Sequence, residues 1–153
     1  MSMTVFVLDN SVVMAWGLRE ERTEDAHRVI RMLDLCKARV PAIWPLEFAN
    51  AMLNAERRKR LSDANAAWLR ESILSLPISV VTETPAHVIT AIFVLAREQG
   101  LSVYDASYLD LAMREGLPLA TLDDRLHDAA KRCGVPLLVE EPVTPSPPRK
   151  VKR

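Results

Sequence analysis

The chain has 153 residues, enough for one domain with a substantial core, and its 49% hydrophobic and 26% charged residues exclude a disordered or fibrous polymer. Twenty basic residues balance twenty acidic ones, so no global field draws in a polyanion and any nucleic-acid site must be local. Cys36 and Cys133 stand alone in the sequence, which excludes a disulfide scaffold or a clustered zinc site and reads as two buried thiols in a reducing cytoplasm. No basic leader precedes an apolar core, and the longest apolar stretch, VITAIFVLA, is far short of a bilayer span, so neither secretion nor membrane insertion is expected.

Short β-branched runs alternate with longer helix-like segments. TVFVL (4–8), ARVPA (38–42), ISVVT (78–82), PLAT (118–121) and VPLLV (135–139) are the strand candidates. Alternation of this kind, with runs that are apolar throughout, predicts an α/β fold whose central, mostly parallel sheet of about five strands is covered on both faces. The first run passes without a turn residue into Asp9, Asn10 and Ser11, placing a carboxylate at the end of a buried strand. Capping of the following helix by Asp9 or Ser11 would account for the pattern locally. In open parallel sheets, however, ligands settle outside the carboxyl ends of the strands.

Glu47 follows Pro45 in WPLEFANAM, in the first turn of a helix, where the helix dipole favours a carboxylate. Its stripe continues through Asn50, Asn54 and Arg58, opposite Phe48, Ala49, Met52 and Leu53, a polar face suited to lining a cleft. RRKR (57–60) reads either as a solvated face or as an RNA-phosphate contact at the cleft rim. Ser62 then opens LSDANAAWLRESILSL, the second helix of a hairpin, with Trp68, Leu69 and Ile73 placed for burial.

A helix over 85–99 is predicted by Thr84 as N-cap, Pro85 at the first helical position and Gly100 as the stop; being apolar almost all round, it is expected to be buried on more than one side, either by the core alone or by the core and a partner. In LSVYDASYLDLAMREG, Asp105 follows Ser102 at capping-box spacing, yet the helical wheel sets it amid Tyr108, Leu109 and Ala112 on the apolar face. Asp110 falls on the polar flank with Arg114 four residues on, and reads as a surface ion pair. In ATLDDRL, two readings stay open: Thr121 caps the next helix with Asp124 completing a box, leaving Asp123 free, or Asp123 is itself the cap. His127, one turn later, is expected at the surface. From Glu140 the proline-rich EEPVTPSPPRKVKR ends in four cations and reads as a flexible tail, so the domain organisation is 1–139 and 140–153.

Asp9, Glu47, Asp105 and Asp123 thus gather at strand ends and helix starts along one sheet edge. Carboxylates so placed repel one another unless a cation intervenes. An all-oxygen set suits Mg²⁺ or Mn²⁺ rather than zinc, and such a site serves phosphodiester hydrolysis. Ser11 and Thr121 either cap helices or support the carboxylates by hydrogen bonds.

The motifs VLDNSV, WPLEFANAM, VYDASYLDLA and LATLDDRL, in this order, resemble the PIN domains of the VapC toxin family over roughly residues 4–139. The resemblance implies a PIN-like three-layer α/β/α fold and a cytoplasmic, Mg²⁺- or Mn²⁺-dependent endoribonuclease of a toxin–antitoxin pair. It implies an acidic site of Asp9, Glu47, Asp105 and Asp123 supported by Ser11 and Thr121, a VapB-type antitoxin and a homodimer. The proline-rich basic extension lies outside the family pattern. A non-catalytic PIN-like module holding RNA or peptide is the alternative. A phosphoacceptor receiver domain is disfavoured, since ISVVTETP lacks the acceptor Asp and VPLLVEEP the Lys.

Overall fold

The computed structural model describes residues 4–140; the expected tail, beyond Glu140 itself, lies outside the described residues. Four parallel strands form the sheet: β1 (Val5–Leu8), β2 (Lys37–Pro41), β3 (Ile78–Val81) and β4 (Leu119–Ala120), in the order β3-β2-β1-β4. The chain moves outward from β1 to β3, then crosses back to lay β4 on the other side of β1. That reversal opens a crevice at the carboxyl ends of β1 and β4, where α/β sheets bind ligands. Phe6, Val7 and Leu8 are wholly buried, which is why the central strand is apolar without alternation.

Helices complete the three-layer α/β/α fold: α1 (Asn10–Gly17), α2 (Glu24–Met32), α3 (Trp44–Arg57), α4 (Asp63–Ser75), α5 (Pro85–His87), α6 (Phe93–Gln99), α7 (Val103–Glu115) and α8 (Asp124–Arg132). α7 packs across β1 and β2, and α1 packs with α2 and α3. The expected punctuation is in place. Ser62, Thr84 and Ser102 accept the N–H of Asn65, His87 and Asp105, and Gly100 closes α6 in the left-handed region at φ 65°.

Several expectations need correction. VPLLV forms one parallel bridge, Leu119 to Leu137, instead of a fifth strand. β4 spans only two residues and Pro136 has no N–H to offer, so the ladder stops there. The helix over 85–99 is interrupted by a π-helical stretch, Val88–Ile92, between α5 and α6. Trp68 is half exposed and leans on Trp16 (ring centroids 5.4 Å apart), while Ala49 and Leu53 also face solvent. Both cysteines are only partly buried. His127 is buried, its Nε2 paired with the Val139 carbonyl oxygen at 3.0 Å, because the 135–139 segment folds over α8. Among the described residues no helix is long and apolar enough to cross a membrane.

Asp110 pairs with Arg114 as expected (2.7 Å) but is buried, because α5 and its π-helical continuation pack onto that flank of α7. His87 Nε2 meets both its oxygens, at 2.9 and 3.1 Å. A wheel drawn for α7 alone does not contain that neighbour. Asp110→Ala removes the acceptor of His87 Nε2 and leaves Arg114 with Glu83 alone (3.5 Å), and is expected to cost about 1–3 kcal/mol. Asp110→Asn keeps an acceptor and is expected to cost less, as read from urea unfolding midpoints of the two variants.

Candidate active site

Asp9 directly follows β1, and its N–H donates to the Ala120 carbonyl of β4 (3.0 Å), which fixes it at the crevice. Its backbone has the extended dihedrals of an N-cap (φ −77°, ψ 146°), yet its carboxylate makes no capping bond. Both of its side-chain hydrogen bonds come from hydroxyls. Ser11 Oγ donates to Asp9 Oδ2 at 2.6 Å and Thr121 Oγ1 donates to the same oxygen at 2.8 Å. Each hydroxyl spends its one proton on Asp9 and accepts in turn a backbone N–H, Leu122 onto Ser11 (2.9 Å) and Asp123 onto Thr121 (3.0 Å). Neither hydroxyl caps a helix. They tie the ends of β1 and β4 to one carboxylate oxygen, and Oδ1 has no hydrogen-bond partner among the described residues.

Asp123 is the N-cap of α8, accepting the Leu126 N–H on Oδ1 at 2.9 Å; Asp124 stands exposed in the first turn. Of the two readings open in the sequence, Asp123 as cap is the one observed. Asp105 and Glu47 occupy the first turns of α7 and α3, each partly buried. Glu47 Oε1 accepts the phenol of Tyr108 (2.8 Å), a fully buried residue that sequence reasoning left out of the site. Its signal was present: Tyr108 is three residues beyond Asp105, on the same face of α7.

Electrostatics tie these groups together. Burial pushes the Asp9 carboxyl up to about 6; the Ser11 and Thr121 hydroxyls oppose the rise, and the charges of Asp105 and Glu47 add to it. Burial also raises Glu47, against the Tyr108 hydrogen bond and with help from Asp105. Asp105 is raised by burial and then by Asp123, with Ser102 opposing. Tyr108 is held protonated, by burial first and then by Asp9 and Glu47, and so remains a donor. The charges acting on the three carboxylates are those of other carboxylates.

The donor set is therefore all oxygen, anionic and uncompensated, which fits a hard divalent cation in chemistry and in charge. The spacing is that of an open site: among the described residues no three His, Cys, Asp or Glu side chains stand close enough to grip one ion. RRKR lies at the far end of α3 from Glu47 and is exposed throughout, which fits its reading as a solvated face; Asn50 and Asn54 are exposed along the same helix, as a polar face requires.

Comparison with known proteins gives a consistent picture. The family model described as PIN domain matches residues 6–132. Over 120 residues the chain is 32% identical to Ribonuclease VapC3 of Pyrobaculum aerophilum, covering 78% of this chain and 90% of that protein. Among solved structures, PAE2754 from Pyrobaculum aerophilum matches with a TM-score of 0.64 at 24% identity, over 88% of this chain and 84% of that one. VapBC2 from Rickettsia felis, bound to a DNA fragment from their promoter, matches at 0.61 and 11% identity, over 88% and 97%. FitAcB from Neisseria gonorrhoeae matches at 0.59 and 19%, over 90% and 98%. At these identities the structural likenesses carry the fold alone.

Asp9 yields a prediction for metal-stripped protein. Its folded value, about 6, lies above the ordinary 3.8, so the folded state binds more protons than the unfolded one between those values. Stability is then expected to fall as pH rises through that window, by at most about 3 kcal/mol. Asp9→Asn keeps an acceptor for both hydroxyls without the charge. In chelator its melting temperature is expected to exceed the wild type's at neutral pH, with a flatter pH profile.

Proposed function

The chain belongs to the PIN domain family, and from that premise we propose that it is a metal-dependent endoribonuclease, the toxin of a VapBC-type toxin–antitoxin pair, acting in the cytoplasm. The observation that supports this reading is the mutual influence of the acids at the carboxyl end of the sheet: Asp105 and Glu47 raise Asp9, Asp105 raises Glu47 and Asp123 raises Asp105, with no cation among the charges acting on those three. The four carboxylates are assigned as ligands of Mg²⁺ or Mn²⁺. Bound there, the ion would neutralise the cluster, polarise the scissile phosphate and lower the pKa of a water nucleophile.

The chain's own residues prepare the site. Ser11 and Thr121 immobilise one oxygen of Asp9 and leave the other facing the crevice. Tyr108 orients Glu47 in the same manner. Asp123 spends one oxygen as a helix cap and keeps the second. Because Glu47, Asp105 and Asp123 are only partly buried, rotation of their side chains can close the open set.

The resemblance to VapC toxins, and the solved VapBC2 pair, support a VapB-type antitoxin as partner. Self-association is assigned to the 85–99 segment, where Ile89, Phe93 and Val94 remain 71%, 44% and 44% exposed. Ile89→Asp with Phe93→Ser is expected to shift the protein from dimer to monomer in light scattering; unchanged mass would place the contact elsewhere.

The central experiment is cleavage of a single-stranded or looped RNA with Mg²⁺ or Mn²⁺, alongside chelator. Asp9→Asn and Asp105→Asn are expected to abolish cleavage while remaining folded, and Thr121→Val to lower it about 10- to 100-fold. Wild-type rates in either Asp variant would refute the assignment. RNA retained by wild type but never cut would favour a non-catalytic binding module.

A further inference from the structure

The basic run Arg57–Arg60 is separated from Glu47 by the length of α3, about 15 Å at the helical rise. It stands beside the C-terminal end of α1, itself about 12 Å along the helix from Asp9. Between them lies a cavity of about 510 Å³ lined by Arg19, Arg22, Arg60, Leu61, Asn65 and Trp68. Trp68 is 49% exposed, and its ring rests against Trp16 at 5.4 Å with a 35° tilt. Arg22 lies over Trp16, its Cζ 5.6 Å from the ring centroid and its Nε donating to the Trp16 carbonyl (2.9 Å), which holds the indole from behind. Arg60 pairs with Glu21, and Glu20 is the acid on the cavity wall. Across segments 19–22 and 56–60, six cations face three acids, a net charge of +3.

Lys59 adds an independent sign. It is the one non-glycine residue with positive φ (59°) among the described residues, at the position after α3 where the Arg60 N–H returns to the Ala55 carbonyl (2.8 Å). Glycine occupies such a position at lower conformational cost. A lysine there keeps a cation next in the chain to Arg60, a wall residue of the cavity, at the expense of the fold.

We propose that this cavity is a second RNA-contacting site, in which the exposed face of Trp68 stacks one nucleobase of single-stranded RNA while Arg57–Arg60, with Arg19 and Arg22, hold the adjoining phosphates. An indole braced on one side and open on the other is a stacking platform tolerant of any base. The guanidinium groups of Arg19, Arg22 and Arg60 and the Asn65 amide stand beside the apolar wall of Leu18, Leu61 and Trp68, and the positive excess of the two segments favours a polyanion. The proposal rests on the nuclease reading, and it gives that reading a grip a few nucleotides from the acidic crevice, so that binding and hydrolysis are separable.

The test uses the full chain in chelator, with a fluorescently labelled single-stranded oligouridine as probe and anisotropy as readout. Trp68→Ala is expected to weaken binding about ten-fold, and Trp68→Phe to restore most of the loss. Lys59→Gly is expected to raise the melting temperature while weakening binding at low salt and reducing the salt slope by about one. Unchanged affinity in Trp68→Ala, or affinity that Phe does not restore, overturns the proposal. So does a Trp68→Ala protein that binds RNA normally but loses a co-expressed VapB-type antitoxin, which would assign the cavity to a peptide. Failure of the two sites is distinguishable: Asp9→Asn cutting RNA at wild-type rate sinks the acidic site alone, and normal affinity in Trp68→Ala sinks the platform alone.

Discussion

A carboxylate buried at the end of the central strand governs the organisation of this molecule. Asp9 is 5% exposed and its charge is opposed by Asp105 and Glu47, so the fold holds it at a cost instead of drawing stability from it. Two hydroxyl donors soften that cost without removing it, since the carboxyl still rises to about 6. The same two donors join β1 to the end of β4, which has only two residues of ladder to hold it. The group that destabilises the edge thereby also locks its geometry.

Parallel topology explains why the acids meet at all. Every strand of such a sheet delivers its following helix start to the same edge, and the reversal that sets β4 beside β1 leaves a gap there. Asp9 precedes α1, Glu47 and Asp105 lie in the first turns of α3 and α7, and Asp123 caps α8. Each carboxylate therefore faces a helix N-terminus, worth about 0.3–1 kcal/mol where exposed. A rise of the Asp9 carboxyl from 3.8 to about 6 corresponds to about 3 kcal/mol against its charged form. Helix dipoles do not close that gap, and the charges of Asp105 and Glu47 widen it.

Much of this was legible in the residues, and the misreadings share a cause. Apolar runs, caps at Ser62, Thr84 and Ser102, and the inward side of Asp105 are local patterns, recoverable from periodicity and spacing. Asp110 and His127 were misplaced because their surroundings come from elements distant in sequence: α5 and its π-helical continuation over α7, and the 135–139 segment over α8. Thr121 and Asp123 each had two defensible local roles, and only the distance from Thr121 Oγ1 to Asp9 decides between them. The fifth strand failed for a related reason, since a run's β propensity cannot show that its neighbour is two residues long.

The axis that collects acids at one end collects cations at the other. α3 carries Glu47 in its first turn and ends in Arg57, each matched to the local sign of the helix dipole. In a chain with zero net charge, separation along the helix keeps an acidic crevice and a cationic run apart on one domain. Were the cations beside the carboxylates, ion pairing would lower the pKa values that burial has raised and occupy the oxygens a metal needs. About 15 Å along the helix from Glu47, Arg57 lies beyond a Debye length from it at physiological salt, and Arg60 pairs with Glu21 instead of with the crevice acids. The spacing that leaves the crevice acids without a cationic neighbour is thus the same spacing that leaves a positive excess at the opposite end.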